Sequence, residues 1–409
     1  MKNRYQDLIE QTFEWPALSF NLDNEGLRFH DIPLMEVVKK FGTPLKLTYL
    51  PKIGEQIESS RRLFNEKMQK LNYQASYTYC YCTKSSHFKF VLNEVLDHDA
   101  QIETSSAFDL DLLNNLYKEG KLPKNNFILC NGFKRELYIS KIADFINNGF
   151  TNTLPILDNL EELDQLFDHV NEPFQCGIRI AAEEKPNFEF YTSRLGIRHQ
   201  DVVPYYKARI QSNTDVQLKM LHFFINTGIT DTAYYWSELN KCVNLYCDLK
   251  AICPELDSLD IGGGFPFPNT ISFDYEYRYM VEQILANIKN VCDDRGVAPP
   301  HIFTEFGSYA VAESGANLFS ILGTKQQNDS ELWYMIDNSF VTTLPDSWAQ
   351  DQRFILIALN HWDQEYQRVN LGGLTCDSMD YYNSEVHENQ VFLPKFPPSD
   401  PLVIGFFNT

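Results

Sequence analysis

The stretch "YTYCYCTKSSH", Tyr77–His87, reads in two halves. Up to Thr83, aromatic residues and cysteines follow one another as in a strand buried on both faces. Lys84 then stands where the strand should end, followed by Ser85, Ser86 and His87. An ammonium group at the end of an apolar strand is costly unless something of opposite charge or matched chemistry meets it. What surrounds that end therefore decides what the lysine is for.

The same register recurs along the chain. Apolar strands are expected at "SYTYCYC", "AQIET", "NFILC", "TLPILD", "CGIRI", "LKMLHFFI", "SLDIGG" and "HIFTEF". Amphipathic helical patterns lie between them, among them "FKFVLNEVLDH", "AFDLDLLNNLYKEG", "RELYISKIADFINNG", "LEELDQLFDHV", "YYWSELNKCVNLYCDLKAI" and "YRYMVEQILANIKNVCDD". Several of these end in Gly or Asn, the usual helix terminators. Strand–helix alternation implies a parallel sheet. Eight units close a (β/α)₈ barrel. The competing open, doubly wound sheet would carry G-x-G-x-x-G after its first strand, and none follows here.

Beyond Ser308 the texture changes. "LWYMIDNSFVT", "RFILIAL", "YQRVNLGGL", "NQVFLP" and "LVIGFF" are strand-like and separated by turns. The expectation is α/β plus all-β: a barrel over 48–312, with 1–47 and 313–409 forming a β-sandwich or β-barrel domain. The chain stops at "VIGFFNT", inside a strand-like region, so a C-terminal piece is expected to be missing.

The totals narrow the function. With 409 residues, 44% hydrophobic and 14% aromatic, the chain can bury a large core and is not disordered. A net charge of −20, from 35 basic and 55 acidic residues, argues against nucleic acid as a partner. Such a field attracts small cations, or serves solubility alone. No apolar run reaches the length of a membrane span, and "MKNRYQDLIEQTFEW" lacks a signal-peptide layout. The nine cysteines include no C-x-x-C pair and no zinc-ligand pattern, so no metal is expected and the setting reads as reducing and cytoplasmic. Cys80 and Cys82 share one face of their strand, as core cysteines do.

In such barrels, function sits at the C-terminal ends of the strands. Those ends carry Lys84, then Glu103 with Thr104, Ser105 and Ser106, then Arg179, His222 with Asn226 and Thr227, the Gly262, Gly263, Gly264 turn, and Glu305 before "FGSY". A glycine turn after strand 7 suits an anion such as phosphate, though tight turns use glycine too. A lysine beside a phosphate site could form a Schiff base with pyridoxal phosphate, or could simply pair with Glu103. Glu305 could hold a pyridine nitrogen protonated, or could cap a helix.

These residues resemble the fold-type III, pyridoxal-phosphate-dependent basic amino-acid decarboxylases, whose members pair an alanine-racemase-like barrel with a β-domain. The resemblance covers essentially the whole chain. "YCTKSS" implies Lys84 as the Schiff-base residue; "IETSSAFDL" implies Glu103 near the cofactor with Asp109 further along. "GIRI" brings Arg179, "SRLG" brings Ser193 and Arg194, and "LDIGGGFP" implies that Gly262, Gly263 and Gly264 bind the phosphate. "TEFGSY" implies Glu305 as pyridinium partner, with Gly307 and Ser308 beside the cofactor. "LTCDSMD" is similar to the motif that supplies Cys376 and Asp377 to the partner's active site in a homodimer.

Three features depart from the family pattern. Phe224 in "LHFFINTG" stands where a ring-stacking histidine is usual, ahead of Asn226 and Thr227. Ser308 stands where an arginine is common, and the family's late tyrosine would lie beyond Thr409. The resemblance implies a cycle in which the substrate amine displaces Lys84, carbon dioxide leaves, Cys376 reprotonates the α-carbon and Lys84 reclaims the cofactor. Alanine racemases set an arginine against the pyridine nitrogen, so Glu305 favours decarboxylation. Asp377, and Asp346 in "SFVTTLPDSW", imply a distal substrate cation. Two carboxylates suit a guanidinium, and the motifs look most like short bacterial arginine decarboxylases. The implied reaction is arginine to agmatine in polyamine biosynthesis. Ornithine, lysine, diaminopimelate and an inactive, antizyme-inhibitor-like binding protein stay open as alternatives.

Overall fold

The computed structural model describes residues 19–23, 26–183, 192–269, 273–350, 352–383 and 391–409. The first fifteen residues and the start of "NQVFLP" thus lie outside the described residues. Two compact units emerge: residues 50–266 with 275–310, and residues 1–49 with 267–274 and 311–409.

The larger unit is a closed barrel. Its strands are β1 (Tyr77–Cys82), β2 (Gln101–Thr104), β3 (Ile128–Cys130), β4 (Thr153–Leu157), β5 (Phe174–Ala181), β6 (Val216–Phe223), β7 (Ser258–Asp260) and β8 (His301–Glu305). Every neighbouring pair is parallel, and β4 against β5 (Ile156 opposite Gly177) completes the ring. A Cβ at Gly177 would sit 2.4 Å from Ile156 Cδ1, so a larger residue there would force the Ile156 side chain to move. The eight strands expected from the sequence are the eight observed. Ile197–Arg198 adds a short strand, not expected, to the edge of β5.

Helices α1 (Lys89–Asp97), α2 (Ala107–Lys118), α3 (Glu136–Asn147), α4 (Glu162–Phe167), α5 (His199–Tyr205), α6 (Ala233–Lys250) and α7 (Tyr277–Arg295) connect the strands. Local chemistry starts and stops them: Ser106 caps α2, Thr232 caps α6, and left-handed Gly296 (φ 64°) ends α7. Inside the barrel, Cys80, Leu129, Leu154, Ile156, Met220 and Phe303 pack as an apolar plug. The interior is therefore solid below the rim, as in other barrels of this kind.

The second unit is a curled mixed sheet. It contains β9 (Gly315–Asn328), β10 (Glu331–Ile336), β11 (Ile355–Ala358), β12 (Tyr366–Gly372), β13 (Tyr381–Tyr382), β14 (Val391–Pro394) and β15 (Val403–Phe407). The order is β11–β15–β9–β10–β12–β13, with β14 on β12 and the N-terminal strand Leu45–Thr48 on β9. Phe20, Phe29 and Leu34 share a core with Leu318, Ile355 and Phe407, so the N-terminal segment belongs to this unit as expected. "NSFVT" departs from its strand-like reading. Phe340–Thr343 and Asp346–Ala349 are short helices, and the buried Asp380 carboxylate accepts the Phe340 and Val341 N–H groups that start the first. Among the described residues, no helix is long and apolar enough to cross a membrane.

Candidate active site

Each barrel strand delivers its last residue to one rim, where side chains distant in sequence meet. β1 runs into a single 3₁₀ turn, Thr83–Ser85, which holds Lys84. Its Nζ lies 2.7 Å from Glu103 Oε2, so the plain ion-pair reading of this lysine describes a real contact. Thr83 Oγ1 donates to the Glu103 carbonyl at 3.1 Å, locking the two strand ends together. Just past β3, Asn131 Nδ2 donates to Glu305 Oε1 at 2.5 Å and lies 3.2 Å from Glu103 Oε1.

Sheet register builds the rest. His222 on β6 sits opposite Arg179 on β5 and Asp260 on β7. Paired residues of adjacent parallel strands face the same side, so these three charged groups share one level. His222 Nδ1 is 3.2 Å from Asp260 Oδ2 and 4.0 Å from Glu305 Oε1. Neither imidazole nitrogen and not Asp260 Oδ2 has an aligned hydrogen-bond partner. The Arg179 guanidinium lies 5.9 Å from the centroid of the Phe224 ring.

The cluster holds three carboxylates against three cationic groups, nearly all out of water. Burial, followed by the Asp260 charge, pushes the Glu305 carboxyl up to about 7, against the pull of His222 and Lys84. Burial and Glu305 likewise raise Glu103, although Lys84 opposes them. For Lys84, burial works against the ammonium, but Cys82, Glu103 and Glu305 outweigh it and hold the group charged. Burial lowers Arg179.

The glycine turn has a geometric reason of its own. Gly262 and Gly264 take left-handed φ values of 73° and 84°. A Cβ at Gly262, Gly263 or Gly264 would stand 2.6 Å from Phe223 O, Glu305 O or Gly228 Cα respectively. The loops after β6, β7 and β8 therefore pass one another at backbone contact. Beside them, both amide atoms of Asn226 and Thr227 Oγ1 are shielded from solvent without a partner. Gly307 packs on the lysine turn, where a Cβ would fall 2.0 Å from Ser85 Oγ. Ser308 is exposed at the start of the short helix Ser308–Val311.

Other expected residues stand elsewhere. Asp109 accepts from Ser105 N and Ser106 Oγ at 3.0 and 2.9 Å, and so anchors the first turn of α2. Ser193 N donates to Ala182 O at 2.9 Å, while Arg194 is exposed. Cys376, Asp377 and Asp346 belong to the second unit. Cys376 and Asp377 are exposed, and Asp346 is half-buried. One buried carboxylate ties their two segments together: Asp380 accepts from Thr375 N and Oγ1 at 2.9 and 2.6 Å and from Phe340 N at 2.7 Å. Sequence reading passed over Asn131, Asp260 and Asp380. Asn131 and Asp260 each lie at a strand end, the place that repays inspection. Nothing in the pattern around Asp380 marks it.

Residues 55–312 match the family model for "Pyridoxal-dependent decarboxylase, pyridoxal binding domain". The chain belongs to this family of pyridoxal-dependent decarboxylases.

It is 24% identical over 332 residues to arginine decarboxylase 1, chloroplastic, of Arabidopsis thaliana, covering 74% of this chain and 47% of that protein. It is also 24% identical over 328 residues to the biosynthetic arginine decarboxylase of Citrifermentans bemidjiense, covering 76% and 50%. The chain thus spans about half the length of the curated relatives it matches. Among solved structures, biosynthetic arginine decarboxylase SpeA from Campylobacter jejuni superposes with a TM-score of 0.79 at 18% identity, covering 96% of this chain and 81% of that one. Lysine decarboxylase from Selenomonas ruminantium gives 0.74 at 18% identity, covering 96% and 91%. These two likenesses carry the fold.

The chain's own residues fit pyridoxal phosphate. A lysine with its amine held at the rim, a buried carboxylate, and unpartnered donors at Asn226 and Thr227 beside a glycine turn are the donor set such a cofactor needs.

Proposed function

We propose that the protein decarboxylates a basic L-amino acid, arginine to agmatine plus carbon dioxide, in polyamine biosynthesis. The observation that carries this reading is the solvent-reachable Lys84 at the end of β1, 2.7 Å from buried Glu103 and within the field of buried Glu305. When bound, pyridoxal phosphate supplies an electron sink for the pair left behind as carbon dioxide departs. Lys84 would hold the cofactor through its amine and release it to the substrate amine. Glu305 would face the pyridine nitrogen, and Asn131, which donates to Glu305 Oε1, would orient its carboxylate. Thr227, Ser308 and the N–H groups of Gly263 and Gly264 would bind the phosphate, while Gly262 and Gly307, whose N–H groups are taken by Asp260 Oδ1 and Glu305 O, would shape the loops around it. Glu103, Arg179 and Phe224 would line the ring, Phe224 by stacking without the proton an imidazole would bring.

Cys376 of the partner subunit returns a proton to the α-carbon in a homodimer with shared sites. Exposed Phe88, Phe108 and Phe133, which follow β1, β2 and β3, support such an interface, since large apolar side chains left at the surface are what an association site offers. Asp346 and Asp377 take the distal substrate cation, and their two segments are already joined through Asp380. All nine cysteines are free thiols, which supports a reducing, cytoplasmic setting.

The deciding measurement is carbon dioxide release from arginine, ornithine, lysine and diaminopimelate, alongside the visible absorbance of lysine-bound cofactor. Arginine is expected to be the preferred substrate, with absorbance that borohydride bleaches and Lys84→Ala lacks. Bound cofactor with no release from any of the four would replace the enzyme with a binding protein. Mixing Lys84→Ala and Cys376→Ala proteins should restore part of the activity, and no recovery would refute the shared site.

A further inference from the structure

Glu305 has company that the decarboxylation scheme leaves unused. His222 is fully enclosed, yet neither of its ring nitrogens has an aligned hydrogen-bond partner. A neutral imidazole in that position would forfeit its hydrogen bonds to water. A charged one is offset by two anions that approach its Nδ1, Asp260 Oδ2 at 3.2 Å and Glu305 Oε1 at 4.0 Å. From β5, Arg179 faces the same level and opposes the charge; from β1, the buried Cys80 thiol lies beside both carboxylates. Lys84 and Glu103 complete the surroundings of Glu305. Asp260 is held in turn, because its Oδ1 accepts the Gly262 N–H at 2.8 Å. That bond connects the carboxylate to the glycine turn, so the cluster is built into the backbone of two loops.

We propose that His222 and Asp260 are positioning residues for Glu305, forming a buried Asp260–His222–Glu305 relay in which a protonated imidazole beside two carboxylates keeps Glu305 ionised for the cofactor's ring nitrogen. This rests on the reading of Glu305 as the pyridine partner. Three carboxylates crowd this rim, and like charges so close favour protonation of one of them. A Glu305 that took up the proton would meet the ring as a neutral acid and lose the ion pair. The imidazolium supplies the missing positive charge near Oε1, the same oxygen that accepts from Asn131. Asp260 serves by holding the ring's proton.

The relay can be tested without activity. In cofactor-free protein labelled at histidine with ¹⁵N, the His222 resonances, assigned by their loss in His222→Gln, are followed against pH. They should report a doubly protonated ring well above the ordinary histidine value of about 6.5, and Asp260→Asn should lower its titration by about one pH unit or more. Titration at or below the ordinary value, or indifference to Asp260→Asn, would overturn the proposal. The ligand atoms of His222, Asp260 and Glu305 all lie within 4.8 Å of one another, a spacing a cation could also occupy. Resonances that move on adding EDTA would assign the cluster to a metal ion and likewise overturn the relay. In the loaded protein, His222→Gln should weaken pyridoxal phosphate binding about tenfold, read by absorbance, because it removes roughly one pKa unit of support for the ion pair. If His222→Gln fails to fold, Asp260→Asn, judged by its thermal melt, carries both readouts. Wild type that binds no pyridoxal phosphate would sink the pyridine-partner role, whereas the imidazole titration decides the relay itself.

Discussion

Glu305 and Asp380 are both buried carboxylates, one in each unit of the chain, and burial pushes both toward protonation. They end in opposite places. Asp380 receives donors from Thr375 N and Oγ1, Ser339 Oγ, Phe340 N and Val341 N, and these hold it below the usual aspartate range. Among the described residues, Glu305 receives Asn131 alone as a close donor, and with burial and the nearby Asp260 charge it rises to about 7. Backbone and hydroxyl dipoles that are aimed at a carboxylate make it a fixed part of the scaffold. A carboxylate short of donors stays chemically available. The difference separates a structural acid from one that can serve a reaction.

The comparison can be broken or sharpened by substitution. The largest effect belongs to the lysine that Glu305 shares its cluster with: Lys84→Ala should cut carbon dioxide release on the order of 10³-fold or more and remove the visible absorbance. Glu305→Gln should cost about 10²- to 10³-fold in turnover with the fold intact by circular dichroism. A loss of folding instead would make Glu305 structural and erase the contrast. Asp380→Ala should do the reverse, lowering unfolding free energy by about 3 kcal/mol in a denaturant titration because five donors lose their acceptor. It should also raise KM more than it lowers kcat, since the loops bearing Asp346 and Asp377 come apart.

The two acids also differ in sign against pH. Asp380 has a depressed folded value, so its contribution is complete above the unfolded aspartate value of about 3.9 and is lost as pH falls below it. Glu305 has a raised one, so in cofactor-free protein the folded state loses stability as pH climbs from the ordinary 4.5 to about 7. Denaturation midpoints in that window should flatten in Glu305→Gln and not in Asp380→Asn. The smallest expected effect is Gly264→Ala. Its Cβ would press on Gly228 Cα at 2.6 Å with φ at 84°, costing about 1–3 kcal/mol of stability.

Much of the molecule was legible in the residues. Periodicity and turn chemistry are local, so they found all eight barrel strands, and the rule that function collects at strand ends drew Lys84, Glu103, His222 and Glu305 into one list. Asn131 sat at such an end and was passed over, because an amide without a motif looks like a turn residue. Asp380 was beyond reach, since its partners Ser339, Phe340 and Val341 lie some forty residues away and only the folded sheet brings them under one carboxylate.

By itself, then, the sequence determined the barrel, the second sheet and the lysine at the rim, for these follow from patterns repeated over a few residues. Tertiary structure alone decided the charge state of the cluster. Register set His222 opposite Asp260 with Glu305 on the next strand, closure of the barrel buried all three, and the number of donors reaching each carboxylate, which no linear spacing records, set which acid is scaffold and which is poised to act.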